Sequence, residues 1–195
     1  MDPVNLLLII NLFVSMSANW GGARKGLKTS ITKVVERPKT YLQKLPPNIS
    51  ALVLILIIAG FFNLGVLPNK NIDNYLLVRF IGLVFYILFS WTQILAYRSL
   101  GNFYTQDIVI LKEHKLNKSG LYRYIRHPQY ISQLLSDLGA GFALMSFLVI
   151  PIVVFVEIPL FILRAKEEEK ILAKHFKEEY PVYKKQSGFM LPFIG

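Results

Sequence analysis

The chain has 195 residues, 53% of them hydrophobic and only 17% charged, with a mean hydropathy of +0.43. A charged share this far below the roughly 25% of soluble domains excludes a disordered chain and an ordinary water-soluble globule. Net charge is +10 and cysteine is absent, so disulfides, thiolate metal sites and a cysteine nucleophile are excluded as well.

The apolar residues fall into long runs, which is the signature of an all-α, multi-pass integral membrane protein. The first run covers residues 4–18. It is short for a hydrocarbon core of roughly 30 Å, yet reads as a retained helix, because Asp2 stands where a leader peptide has basic residues and no small-residue cleavage site follows. Residues 20–47 are basic, and fit a surface-lying amphipathic segment and a solvated loop equally well. A second span covers 48–67, opened by Pro46-Pro47 and closed by Pro68. A third covers 76–97, with Arg79 near one end where its stem can snorkel to the interface. Residues 130–163 are too many for one helix, and Gly139, Gly141 and Pro151 offer break points. They read as a tight helical hairpin turning near residues 146–151, for five membrane segments in all.

Lysine and arginine support the odd number. Residues 19–47 hold seven, 98–128 hold six and 164–195 hold seven, which is 20 of the 22. Five segments put all three stretches on one face, cytoplasmic by the positive-inside rule, with the N-terminus outside and the C-terminus inside. A basic excess beside spans requires no nucleic acid, and no zinc-finger or RNA-binding motif accompanies it.

Polar residues concentrate in the last 90 or so positions. The loop 98–128 ends in Gly120-Leu-Tyr122-Arg-Tyr124-Ile-Arg126-His127-Pro128-Gln-Tyr130, where a proline suits a first helical position and free first-turn amides can meet a ligand. An interfacial aromatic belt with snorkelling arginines is the plainer reading of the same residues. Downstream, a continuous helix puts Glu157, Phe161, Arg164 and Glu168 on one face. Asp137 and Glu157 lie inside apolar runs, where a carboxylate is costly; they are either functional or pair with Arg164 to hold the hairpin. His114, His127 and His175 lack metal-ligand spacing, so no metal is expected. Gly139-Ala-Gly141 has the look of a dinucleotide-loop fragment but reads better as small residues for close helix packing.

Four motifs then occur in order: Gly-x-Tyr-x-x-x-Arg-His-Pro-x-Tyr (120–130), Arg-x-x-x-Glu-Glu (164–169), Phe-x-x-Glu-Tyr (176–180) and Leu-Pro-Phe-Ile (191–194). Together they resemble the isoprenylcysteine carboxyl methyltransferase family and its shorter prokaryotic relatives. The resemblance covers residues 100–195 and implies a cofactor, S-adenosylmethionine, and a lipophilic acceptor such as an isoprenylcysteine carboxylate or a lipidated cysteine. Carried over residue by residue, it implies that His114, Lys115, Leu116, Asn117, Tyr122, His127, Pro128, Gln129 and Tyr130 hold the cofactor. Glu168 would do so too, and Arg164 would face the acceptor, which makes these two the catalytic candidates. Residues 98–195 would then be the catalytic region and 1–97 three helices with a basic loop. Ser132 and Lys177 stand where the family often has glycine.

The proposed chemistry suits these residue types. Methyl transfer to an ionised carboxylate needs alignment and exclusion of water more than acid–base help. Arginine grips a carboxylate bidentately, and a glutamate with tyrosine rings favours a cation. The rivals are a phospholipid N-methyltransferase, whose amine acceptor would need a base, and an NADPH-dependent membrane sterol reductase, whose chains are longer. A non-enzymatic membrane scaffold is the remaining reading.

Overall fold

The computed structural model describes the backbone of residues 2–32, 34–68, 73–112 and 114–195, with side chains throughout except at 21–32, 73 and 102. The chain is mostly helical: α1 (Pro3–Thr32), α2 (Leu45–Phe61), α3 (Leu76–Leu100), α4 (Pro128–Leu144), α5 (Val149–Ile152), α6 (Ile158–His175) and α7 (Glu179–Gln186). Among the described residues, three windows are long and apolar enough to cross a membrane: Pro3–Trp20, Tyr41–Phe61 and Leu76–Leu100. Their outward faces carry exposed Phe13, Ile55 and Leu77. In water such surfaces would aggregate; in lipid they are solvated.

Local chemistry fixes the helix ends. The Asp2 carboxylate accepts the Val4 N–H at 2.9 Å and caps α1. Proline occupies the first positions of α2 and α4, where a missing N–H costs nothing. α2 stops at Phe61, short of Pro68, because Asn63 and Gly65 adopt left-handed backbone. α4 ends the same way at Met145, and the Ser146 hydroxyl accepts the Val149 N–H as the chain turns into α5. A π-helical turn, Val153–Glu157, joins α5 to α6. Pro159 explains its place, since a proline there cannot supply the N–H that α-helical bonding expects.

Antiparallel contact between α4 and the α5–α6 rod brings Gly141 to Ile150 and Tyr130 to Arg164. Gly139 and Gly141 are not break points, since α4 runs through both without interruption. Gly139 serves instead for close packing. A methyl group on it would stand 2.5 Å from the Tyr86 amide nitrogen, and one on Gly82 would stand 2.6 Å from that of Ala143. α3 and α4 therefore touch backbone to backbone. Leu8, Val53, Leu83, Leu144 and Val149 fill the core where α1, α2, α3, α4 and α5 meet.

Arg79 turns inward rather than snorkelling. It is 1% exposed, donates to the Ala143 carbonyl at 2.9 Å and to the Asn5 amide oxygen at 3.0 Å, and pairs with Asp2 at 2.5 Å. One guanidinium thus ties the ends of α1, α3 and α4 together. Asn11 makes a second tie, donating to Ser90 at 3.0 Å and accepting from the Trp91 indole at 3.1 Å.

The polar end holds a small sheet that an all-helical expectation omits. β1 (Val34–Glu36) pairs antiparallel with β2 (Ile110–Leu111), Val34 opposite Leu111. Val34 and Val35 favour extended backbone, and a buried Ile108–Leu111 run provides the edge to pair with. Of the basic stretch 20–47, α1 continues as far as Thr32, and the side chains of 21–32 lie outside the described residues.

Candidate active site

Where the apolar helices give way to the loop 101–127, a cleft opens between that loop, the first turns of α4, the middle of α6, and α7. His114, Lys115, Leu116, Asn117, Tyr122, His127, Gln129, Tyr130 and Glu168 all line it. Nine of the residues expected from sequence, spread over 55 positions, thus share one wall system. Two do not line it. Pro128 is buried at the head of α4, and Arg164 is 4% exposed behind Tyr130.

Glu168 faces the cleft with about a third of its side chain exposed. The Tyr130 hydroxyl donates to its Oε2 at 2.9 Å and accepts from Arg164 Nε at 3.0 Å. The His127 ring stacks on Tyr130, centroids 5.5 Å apart and planes 3° off parallel. Its Nδ1 lies 3.6 Å from Glu168 Oε2. Opposite, the His114 ring stacks on Phe103 at 5.6 Å, with its Nδ1 accepting the Leu111 N–H at 3.4 Å. Burial pushes the His114 pKa down and nearby His175 adds to this, outweighing the pull of Glu168, so His114 is neutral at pH 7. Tyr122 is held protonated, chiefly by burial and then by Glu168. Asn117 fixes the loop by donating to the Ser99 carbonyl at 2.9 Å and accepting the Ser119 N–H at 3.0 Å.

Arg164 is engaged elsewhere than expected. Its Nη1 donates to the carbonyls of Leu42 (2.6 Å) and Gln43 (3.1 Å), and its Nη2 to that of Gln106. With Tyr130 this occupies four of the five guanidinium N–H groups. Arg164 does not pair with Asp137 or Glu157. Asp137 accepts from Gln133 Nε2 at 2.5 Å instead, and Glu157 from the Ser50 hydroxyl at 2.6 Å.

The sequence reading passed over Arg126 and Glu169. Arg126 Nε meets Glu169 Oε1 at 2.5 Å, and the rest of its guanidinium donates to the carbonyls of Lys184, Ser187 and Gly195. Lys184 Nζ adds a bond to Glu169 Oε2 at 3.0 Å, and His127 Nε2 lies 3.5 Å from Oε1. Burial alone would raise the Glu169 pKa, but the nearby His127 ring and the hydrogen bonds from Arg126 and Lys184 outweigh it and hold the carboxyl well below the usual range. The Tyr183 hydroxyl, pushed up to about 12 by burial, donates to the Tyr122 carbonyl at 2.6 Å. Arg126 and Glu169 were both inside the motifs. The signal was the doublet Glu168-Glu169: adjacent helical residues point about 100° apart, so only one can face the cleft.

The model of the isoprenylcysteine carboxyl methyltransferase (ICMT) family matches residues 80–174. Just under half of the chain is thus similar to this family. It is 32% identical over 133 residues to the protein-S-isoprenylcysteine O-methyltransferase of Saccharomyces cerevisiae, covering 65% of this chain and 56% of that one. It is 33% identical over 126 residues to a probable protein-S-isoprenylcysteine O-methyltransferase of Oryza sativa subsp. indica, covering 64% and 66%. The chain thus spans between about half and two thirds of the length of these relatives. Similarity to the methanethiol S-methyltransferase of Crocosphaera subtropica is lower, 28%, but extends over 191 residues, 89% of this chain and 69% of that one. Among solved structures, a eukaryotic intramembrane Ras methyltransferase superposes with a TM-score of 0.65 at 20% identity, over all of this chain and 69% of that one. That match shows the same fold over the whole chain.

Proposed function

We propose that this chain is a membrane methyltransferase that uses S-adenosylmethionine and methylates a lipophilic acceptor, an isoprenylcysteine carboxylate or a similar compound. The observation that carries this reading is Glu168. It is an open carboxylate, braced by Tyr130 and flanked by the His127 ring, at the border between a polar loop and apolar helices. The cleft fits the cofactor's chemistry. Glu168 and the Tyr130 face favour a sulfonium cation, and the parallel Phe103–His114 pair offers a flat surface to an adenine. Gln129 and Asn117 supply polar groups for an amino-acid end. When bound, S-adenosylmethionine supplies an electrophilic methyl group.

The chain's own residues then bind and orient. Tyr130 holds Glu168 in place and couples it to Arg164, whose remaining N–H and full charge steer an acceptor carboxylate towards the cleft. A two-pronged grip by Arg164 would require it to release the 41–43 turn or Gln106. The loop 101–127 covers the site and excludes water. In the membrane, α4 and the α5–α6 rod form the fourth and fifth segments of a five-segment protein. Its three basic stretches, and the cleft with them, face the cytoplasm. A soluble cofactor then arrives from the cytosol and the acceptor from the bilayer. Residues 98–195 form the catalytic region.

Calorimetry on detergent-purified protein tests the cofactor. S-adenosylmethionine and S-adenosylhomocysteine are expected to bind and NADPH not to, and Glu168→Ala is expected to abolish binding. No adenosyl binding by folded protein defeats the reading. A thiol acceptor is the second reading, favoured by the likeness to a methanethiol S-methyltransferase over 89% of the chain. Turnover of an N-acetyl-S-prenylcysteine against that of a small thiol separates the two.

A further inference from the structure

α1 and α2 both pack on α4 but, among the described residues, scarcely on each other. Between them lies a second cavity of about 280 Å³ that shares no lining residue with the cleft. Leu12, Met16, Leu54 and Ile57 make its apolar side. Ser15, Asn19, Gln93, Gln133, Ser136 and Asp137 make its polar side.

Asp137 is 6% exposed, and Gln133 Nε2 donates to its Oδ2 at 2.5 Å. Behind it Glu157 is fully buried; its Oε1 accepts from Ser50, and its Oε2 meets no donor. Two carboxyl groups buried side by side cannot both ionise without a counter-charge. Neither forms an ion pair with a described Lys, Arg or His, whereas Glu169, also buried, has two cationic partners. A carboxylate buried here is costly without a cation beside it, so a cation that reaches the cavity supplies the partner that lets one of the two ionise.

We propose that this cavity binds the protonated amine of a lipophilic ammonium compound. The ammonium lies against Asp137, and the alkyl chain runs along Leu12, Met16, Leu54 and Ile57 and out between α1 and α2 into the bilayer. An ammonium brings three donors and no acceptor, which suits a wall of carboxyl, amide and hydroxyl oxygens. A bare metal ion would need a closed shell of oxygens, but this cavity is apolar along one side. A plain hydrocarbon chain would leave the carboxyl pair buried without a counter-charge. The site is independent of the methyl-transfer reading, since Asp137 lies two helical turns, about 10 Å, along α4 from Tyr130.

The test follows thermal unfolding by circular dichroism in phosphatidylcholine nanodiscs, with added dodecylammonium, dodecanol or NaCl. Dodecylammonium is expected to raise Tm saturably, dodecanol and NaCl are not, and Asp137→Asn should weaken the response about tenfold or more. No rise with dodecylammonium overturns the proposal, as does an equal rise with dodecanol, with NaCl, or in folded Asp137→Asn. If Asp137→Asn does not fold, Ser15→Phe, which fills the α1 side of the cavity and spares the carboxyl pair, is read instead; an unchanged response overturns the proposal. Nanodiscs containing phosphatidylethanolamine identify the source. An Asp137-dependent rise there marks a lipid headgroup as the ligand, and its absence beside an active dodecylammonium marks a free lipophilic amine. S-adenosylhomocysteine affinity stays unchanged in Asp137→Asn, so failure of this site and failure of the methyltransferase reading are separable.

Discussion

Glu168 and Glu169 are neighbours in sequence and opposites in situation. On the cleft side of α6, Glu168 carries a hydroxyl hydrogen bond and open space. On the other side, Glu169 is locked by Arg126 and Lys184 and helps bind α7 and the C-terminal segment to α6. One step of the helix, about 100°, separates a group free to meet a ligand from one consumed by the fold. Charge alone therefore assigns no role; the number of protein donors already spent on a carboxylate does.

The contrast can be broken most forcefully at Arg126. Arg126→Ala leaves Glu169 buried with its main partner gone and three backbone carbonyls without a donor. It should cost about 3 kcal/mol, seen as a large drop in Tm. Glu169→Gln keeps the shape but loses charge-assisted bonds, with an expected loss of about 1.5–3 kcal/mol in denaturant titration. Acid sharpens the same point. The Glu169 carboxyl is depressed in the folded protein, so its contribution is complete above the unfolded carboxylate pKa of about 4.3 and is lost as pH falls below it. The difference in stability between wild type and Glu169→Gln should therefore shrink on acidification. Glu168→Ala should leave the unfolding free energy within about 0.5 kcal/mol of wild type while adenosyl-ligand binding is lost, the reverse of Glu169→Gln. Tyr130→Phe should be mildest for the fold, about 1 kcal/mol, with cofactor affinity reduced rather than abolished.

What the sequence made legible follows the reach of its signals. Hydropathy located α1, α2 and α3 because lipid-facing surface is continuous. The motifs located the cleft because those side chains converge from local loop geometry and one helix face. The partners of Arg164 were not legible because they are the carbonyls of Leu42, Gln43 and Gln106, and a backbone acceptor looks the same whatever residue bears it. The β1–β2 pairing joins segments some 75 positions apart, beyond any local pattern. Gly139 could signal either a hinge or a crossing, and only the proximity of α3 decides between them.

The π-helical turn before Pro159 has a consequence for how the gene can vary. It accommodates one residue more than an α-helix would over the same rise, so Glu168 reaches the cleft, and Arg164 its place behind Tyr130, by a rotation that a regular helix from Val149 would not give. Val154, Phe155 and Val156 within it face outward and make little of the core. Loss of one codon there would convert the turn to ordinary helix and keep both halves of the rod in phase. A codon lost elsewhere in α6, between this turn and Glu168, would exchange the cleft-facing glutamate for its structural neighbour.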